Sequence, residues 1–248
     1  MLRKLRKLRK VWSTTKVVGS APRRAVLLAR WACQNVEEQL IDGYFRRRGL
    51  DTAGRDGAVY GAEGHSFGYV PTSWRVLREV FPHGSVSPAD VLLDYGSGKG
   101  RTAIWVAARF QLRRVIGVDV DEGAQKAAQE NLARWQGRLR CKSVQFICAD
   151  ATEFEVPDDV NIVYFYNPFG GDVFDRALGK VRASLARRPR SLQVIYVYPL
   201  MHEAVLAAGF SIERQRTNHF WVETHRSRVG AEEFSAWLLP YEWTIYRS

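Results

Sequence analysis

One stretch near the middle of the chain, residues 91–101, constrains the fold more than any other. It reads Val-Leu-Leu-Asp-Tyr-Gly-Ser-Gly-Lys-Gly-Arg, so three apolar residues lead into Asp94 and glycines follow at Gly96, Gly98 and Gly100. A run that is compatible with a helix comes next. A buried strand, a glycine turn and a helix in this order are typical of the nucleotide-binding start of an open α/β sheet. Glycine allows the sharp turn and the close approach of a ligand.

The glycine spacing separates two kinds of cofactor site. A dinucleotide-binding turn follows Gly-x-Gly-x-x-Gly, whereas here the third glycine comes one residue early and Arg101 stands where that pattern requires a small residue. A nicotinamide-dinucleotide module is therefore disfavoured. The pattern acid-x-Gly-x-Gly-x-Gly instead resembles motif I of the class I S-adenosylmethionine (SAM) methyltransferases. The resemblance implies an α/β, Rossmann-like, seven-stranded and mostly parallel sheet with helices on both faces, and SAM as the cofactor.

Two further apolar segments of strand length end in polar residues. Asp119 ends the second segment, 19 residues after Gly100, where an acid at a strand tip accepts hydrogen bonds from both ribose hydroxyls. Asp150 ends the third segment, and the resemblance implies that it faces the adenine amino group with Ala151 beside it. The carboxyl ends of parallel strands meet at one edge of the sheet, so these residues are expected to share a site. Ordinary strand-end acids that cap helices are the alternative.

The fourth segment runs into Tyr166-Asn167-Pro168-Phe169. This element resembles motif IV of the amino-group methyltransferases, Asn/Asp-Pro-Pro-aromatic, although it lacks the second proline. The resemblance implies that the Asn167 side-chain oxygen accepts a hydrogen bond from the attacking amine and that the Phe169 ring packs against the substrate. A strand that ends in an Asn-Pro turn is the alternative.

The missing proline leaves oxygen and carbon acceptors open. A general base would then come from Tyr198, at the tip of the fifth strand, or from a long insert before the last strand that contains His219, Glu223 and His225. Ordinary surface polarity is the alternative for the three residues of the insert.

A segment ahead of the glycine turn, Tyr69–Phe81, has helical periodicity with Thr72 or Ser73 near its start. The resemblance implies that such a segment lies over the methionine end of SAM, whereas simple packing at a helix start is the alternative. The predicted cofactor-binding residues are Tyr69, Thr72, Asp94, Gly96, Ser97, Gly98, Gly100, Asp119, Asp150, Ala151 and Asn167. The predicted catalytic residues are Asn167, Phe169 and Tyr198. No metal site is predicted, since the three cysteines lack metal-ligand spacing.

The positive charge is concentrated at the amino terminus. Residues 1–50 hold 13 Lys or Arg and 3 acids, whereas the other 198 residues hold 24 basic and 23 acidic side chains. The first ten residues repeat a leucine followed by two basic residues, and Trp12 comes soon after. This arm predicts contact with an anionic membrane surface or with nucleic-acid phosphates, while a targeting peptide or a solvated tail stays open. No apolar run is long enough for a membrane-spanning helix.

The sequence therefore divides into a basic amphipathic arm (1–20), an N-terminal helix with a glycine-rich loop (21–59) and a SAM-dependent methyltransferase domain (60–248). Tyr69-Val-Pro-Thr before motif I is similar to protein-lysine methyltransferases of the nucleosomal-lysine type, and Tyr-Asn-Pro-Phe to uncharacterised bacterial members. The expected function is methyl transfer to an amine of a protein or small molecule. The alternatives are a non-catalytic SAM-binding adaptor, which contacts nucleic acid or membrane through the arm, and O- or C-methylation of a small molecule. The expected location is the cytoplasm, with peripheral membrane attachment as an option.

Overall fold

The computed structural model describes residue 33 and residues 36–54, 69–216 and 242–248. The chain forms two compact units, Met1–Leu40 with Asn218–Pro240, and Ile41–Thr217 with Tyr241–Ser248. The first unit is described only at residue 33 and at 36–40, which are helical. In the second unit, residues 41–47 are also helical and are called α1 here.

A seven-stranded sheet forms the centre of this unit, in the order β3-β2-β1-β4-β5-β7-β6. Strands β1 to β5 pair in parallel, and β7 runs antiparallel to both β5 and β6. The predicted Rossmann-like fold is therefore confirmed. The strands are β1 Val91–Tyr95, β2 Arg114–Asp119, β3 Val144–Cys148, β4 Ile162–Tyr166, β5 Gln193–Val197, β6 Ser211–Arg216 and β7 Trp243–Arg247.

The helices are α2 Trp74–Val80, α3 Arg101–Arg109, α4 Glu122–Trp135, α5 Gly171–Arg187 and α6 His202–Ala207, and a short 3₁₀ turn follows α4 at Gln136–Arg138. Helices α3, α4 and α5 connect parallel strands, because a parallel pair needs a crossover connection. Helix α2 precedes β1, and the described segment from β3 to β4 contains no helix. Gly209 follows α6 with a φ of +89°. The last strand is β7, and residues 217–241, which include His219, Glu223 and His225, lie outside the described residues.

Two hydrophobic clusters cover the two faces of the sheet. All five residues of β1 are buried, as expected for a central parallel strand that is covered on both sides. Successive side chains point to opposite faces, so Leu92 belongs to the cluster that includes α2 and α3, and Val91 and Leu93 belong to the cluster that includes α5.

The chain reverses its direction of travel across the sheet between β1 and β4. After β1 it moves outward to β2 and β3, and then it returns to place β4 on the other side of β1. Ligands of open α/β sheets bind at such a switch point, outside the carboxyl ends of the strands. A ligand-binding site is therefore expected at the turns after β1 and β4. Among the described residues, no helix is long and apolar enough to cross a membrane.

Candidate functional site

The turn after β1 is built from three glycines in a left-handed conformation. Their φ angles are +72° at Gly96, +51° at Gly98 and +81° at Gly100, where L side chains are strained. The amides of Gly96 and Ser97 donate to the carbonyl of Val118 at 2.8 and 3.1 Å, which ties the turn to β2.

Side chains from other segments lie in contact with the backbone of this turn. A Cβ at Gly98 would lie 2.4 Å from Cε2 of Tyr69, and one at Gly96 would lie 2.3 Å from Cβ of Pro168. A Cβ at Gly100 would lie 2.6 Å from the Phe146 ring. The predicted glycines are thus required both by backbone angle and by space.

Asp119, at the end of β2, faces this turn. Its Oδ2 accepts a hydrogen bond from the Gly98 amide at 2.7 Å, and its Oδ1 accepts one from the Asp121 amide at 3.0 Å. Burial raises the pKa of the Asp119 carboxyl, while these amide donors act in the opposite direction. Each carboxylate oxygen retains a further lone pair, so the group has the capacity to accept two hydroxyl donors.

Asp94, one residue before the glycine turn, is a buried acid with an unsatisfied oxygen. It is 2% exposed, and among the described residues its Oδ2 has no hydrogen-bond partner. Burial raises the pKa of its carboxyl well above the ordinary value, and the nearby charge of Asp119 raises it further. Because the charge of Asp119 raises the pKa of Asp94, a cationic ligand beside the two groups would stabilise the charged form of each carboxyl.

The buried side-chain amide of Gln125 contacts the glycine turn. Gln125 of α4 donates through Nε2 to Ser97 Oγ at 3.0 Å, whereas its own Oε1 has no partner in the described part of the chain. Unsatisfied buried oxygens are uncommon in folded proteins and call for a missing donor. SAM fits this requirement, because its sulfonium is cationic and its amino and hydroxyl groups are donors.

Asp150 and Ala151 follow β3 at the same edge of the sheet. The amide of Ala149 donates to the carbonyl of Asp119 at 3.0 Å, which places the two strand ends side by side. The Asp150 side chain is exposed and accepts a hydrogen bond from the Thr152 amide at 2.7 Å, and Ala151 is half-buried. These predicted adenine-facing residues therefore lie next to Asp119.

The turns after β4 and β5 contain unusual backbone angles. Among the described residues, Asn167 and Tyr198 are the non-glycine residues with positive φ, +40° and +52°. Such angles at neighbouring strand tips cost energy and cluster at functional sites. The Tyr196 hydroxyl donates to Asn167 Oδ1 at 3.3 Å, and the rings of Tyr166 and Tyr198 lie 5.6 Å apart. Asn167 and Tyr198 thus stand at the tips of neighbouring strands, and Pro168, next to Asn167, lies against Gly96 of the glycine turn. Their catalytic roles stay predictions.

Phe169 lies in the core rather than at an open surface. It is 6% exposed, and its ring packs edge-on against Tyr95 and Phe165 at 6.2 and 6.1 Å. This placement does not support the predicted stacking against a substrate. The ring instead belongs to the hydrophobic cluster on the face of the sheet that α5 covers.

The two candidates ahead of the turn differ in their surroundings. Tyr69 covers Gly98, and its hydroxyl donates to the carbonyl of Thr52 at 2.7 Å. Thr72 is buried, with its hydroxyl 2.9 Å from that of Tyr164. Burial raises the pKa of both tyrosine hydroxyls, so both stay neutral. Tyr69 borders the turn, whereas Thr72 has the packing role that the sequence left open as the alternative.

Arg101, which stands out in the sequence only as a departure from a glycine pattern, is a central part of this region. It is 3% exposed and forms an ion pair with Asp42 at 2.6 Å. The signal available in the sequence was a charged residue at the start of an apolar helix, where a buried charge requires partners. The described residues contain no group of three or more side chains that could hold a metal ion.

Comparisons with known proteins agree with this geometry. Residues 92–188 match a family model described as a methyltransferase domain. A protein-lysine N-methyltransferase of Saccharolobus islandicus (strain REY15A) is 32% identical over 90 residues, which make up 36% of this chain and 56% of that protein. The match thus spans little more than half of the curated relative.

Solved structures share the fold. Precorrin 8w decarboxylase of Methanobacterium thermoautotrophicum superposes with a TM-score of 0.50 at 21% identity, over 73% of this chain and 92% of that one. A SAM-dependent methyltransferase of Methanosarcina mazei superposes with a TM-score of 0.50 at 14% identity, over 67% of this chain and 97% of that one. At these identities the likeness extends to the fold alone.

Proposed function

We propose that the chain is a class I SAM-dependent methyltransferase that transfers the methyl group of SAM to an amine, with a protein lysine as the first candidate acceptor. The match of residues 92–188 to a methyltransferase-domain model and the similarity to a protein-lysine N-methyltransferase support this proposal. The observation that carries the proposal is the buried carboxyl group of Asp94 and the half-buried one of Asp119, at a glycine turn on the switch point of the sheet. This combination provides a place for a nucleoside with a cationic sulfur.

The residues of the turn would hold the cofactor. SAM supplies an electrophilic methyl group on a sulfonium when it is bound. Asp119 would accept hydrogen bonds from the two ribose hydroxyls, and Asp150 with Ala151 would border the adenine. The glycines keep the backbone free of side chains where the nucleoside approaches, and Tyr69 closes the turn from the outside.

Asn167 supports an amine acceptor. Its amide oxygen stands at the tip of β4, held in a left-handed turn and in contact with the Tyr196 hydroxyl. An oxygen at this position would accept a hydrogen bond from the attacking nitrogen and so direct its lone pair toward the methyl group. The named activity of the Saccharolobus relative supports a lysine among possible amines.

Methyl transfer into fractionated cell extract tests the proposal. The full-length chain is incubated with SAM that carries a labelled methyl group, and labelled proteins are hydrolysed and analysed for methylated lysine. Label in methyl-lysine is the expected result. Label in small molecules would move the acceptor to that class, and SAM binding without any transfer would support a non-catalytic adaptor. The Gly98→Val variant controls for transfer by contaminating enzymes.

We further propose that the basic arm, residues 1–20, attaches the protein to an anionic surface. The arm holds seven Lys or Arg and no acid, whereas the rest of the chain beyond residue 50 is close to neutral. Each basic residue near an anionic membrane contributes about 1 kcal/mol.

A further inference from the structure

Arg101 is a buried cation at the first position of α3, directly after the glycine turn. The next six residues of the helix, Thr102–Ala107, are buried as well. Burying a guanidinium is costly unless its donors are satisfied and its charge is paired. The partners of Arg101 therefore indicate what this position is built to hold.

Within the described residues, the guanidinium contacts three separate parts of the chain. Its Nη2 pairs with Asp42 Oδ1 of α1 at 2.6 Å, and its Nη1 donates to the carbonyl of Thr72 at 3.1 Å. Its Nε donates to Thr52 Oγ1 at 3.0 Å, and Nη2 also donates to the Thr52 carbonyl at 3.2 Å. The guanidinium carbon lies 4.3 Å from the centre of the Trp74 ring. A lysine ammonium cannot reproduce this planar fork.

One of these partners, Thr52, also contacts Tyr69, which lies against the glycine turn. The Thr52 carbonyl accepts hydrogen bonds from Arg101 and from the Tyr69 hydroxyl, the latter at 2.7 Å. The Tyr69 ring rests on Gly98, whose amide donates to Asp119 at 2.7 Å. A continuous set of contacts thus joins Arg101 to the proposed ribose-binding carboxylate.

Other side chains hold the same segment, residues 50–54, which we call the strap. Asn131 accepts from the Asp51 amide and donates to the carbonyls of Asp51 and Lys99, each at 3.0 Å. Lys99 donates to the carbonyl of Ala53 at 3.2 Å. The strap is therefore hydrogen-bonded to the glycine turn. Arg101 contacts Thr52, the central residue of the strap.

We propose that Arg101 is a positioning residue for SAM. It holds the Thr52 carbonyl in place, this carbonyl orients Tyr69, and Tyr69 keeps the glycine turn in the conformation that presents Asp119 to the ribose. Arg101 itself touches no reacting atom. The inference rests on the proposed function in one respect, namely that the ligand of the turn is SAM.

A double-mutant cycle tests the inference. Binding of SAM and of S-adenosylhomocysteine is measured by calorimetry for the full-length wild type, Arg101→Lys, Tyr69→Phe and the double variant, without any acceptor. We expect each single variant to weaken binding about three- to thirtyfold, as for a lost hydrogen bond. Because both donors act on one carbonyl, the double variant should lose much less than the product of the two factors. The inference would be overturned if the loss of affinity in the double variant equalled the product of the two single losses. Unchanged affinity in folded Arg101→Lys would overturn it as well.

Further measurements separate positioning from general stability. Arg75→Lys changes a half-exposed arginine on α2 that pairs with Glu79, and it should leave the affinity for SAM unchanged. In Arg101→Lys, KM for SAM should rise while kcat at saturating SAM stays near the wild-type value. Should Arg101→Lys fail to fold, Thr52→Ala removes only the hydroxyl that accepts from Nε, and unchanged affinity there would count against the inference. A wild type that does not bind SAM would refute the proposed function, whereas binding that is insensitive to these changes refutes only the role of Arg101.

Discussion

At the scale of single residues, Asp119 is the group on which the cofactor proposal depends most directly. Asp119→Ala should lose about 2–4 kcal/mol of SAM affinity, because charge-assisted hydrogen bonds to the ribose disappear. Calorimetry measures the change, and Asp172→Ala, which alters an exposed acid at the start of α5, is the control. Unchanged binding in folded Asp119→Ala would remove this residue from the site.

The raised pKa of the buried Asp94 carboxyl predicts that the free energy of unfolding depends on pH. The pKa of Asp94 is raised in the folded chain, so the folded state binds more protons than the unfolded state above the ordinary pKa of an aspartate. Without SAM, the free energy of unfolding should therefore fall as the pH rises from the unfolded pKa through the folded one. Asp94→Asn should flatten this dependence and stabilise the ligand-free protein at neutral pH, while weakening SAM binding. Urea unfolding at several pH values tests this, and an unaltered pH dependence would contradict it.

Gly98 tests whether the turn tolerates a side chain. Gly98→Val should abolish measurable SAM binding and lower the free energy of unfolding by about 1–3 kcal/mol, because a positive φ and the Tyr69 ring both exclude a Cβ. Gly179→Ala is the matched control, since Gly179 lies within α5 and a Cβ there would meet nothing within 4 Å. That control should be neutral or stabilising by up to about 1 kcal/mol. Equal behaviour of the two variants would show that the turn is not tightly packed.

At the scale of elements, the turn after β4 is expected to carry the chemistry. Asn167→Ala should lower the turnover of a confirmed amine substrate on the order of 100-fold, with little change in SAM affinity. Asn167→Gly separates chemistry from strain, because glycine keeps the left-handed backbone but removes the amide. Both variants should be slow. Wild-type turnover in Asn167→Gly would assign the residue to the turn geometry, and wild-type turnover in Asn167→Ala would end the amine proposal.

At the scale of the whole molecule, the basic arm and the domain that contains the seven-stranded sheet should be separable. Deletion of residues 1–20 removes seven Lys or Arg and no acid. The shortened chain should fold and bind SAM, but it should lose salt-sensitive adsorption to vesicles of anionic lipid or to nucleic acid. Co-sedimentation with the vesicles and gel-shift measurements with the nucleic acid, each at two salt concentrations, distinguish the two partners. A shortened chain that does not fold would show that the arm belongs to the core.

Local patterns in the sequence were sufficient for the architecture and for the places of several candidate site residues in it. Uniformly apolar segments predicted the central parallel strands, and alternate glycines after Asp94 predicted the turn. Asp119 and Asp150 were placed at strand tips because strand ends follow from the same short segments. These features depend on neighbours within a few residues, which is why they are readable from the chain alone.

The remaining assignments were decided by contacts between residues far apart in the chain. Phe169 was predicted to face a substrate, yet packing against Tyr95 and Phe165 places it in the core. Arg101 meets Asp42 across 59 residues and Thr52 across 49. Hydrophobicity and glycine spacing determine which segments become strands and turns, whereas the direction and partners of a side chain depend on which distant segments the fold packs around it.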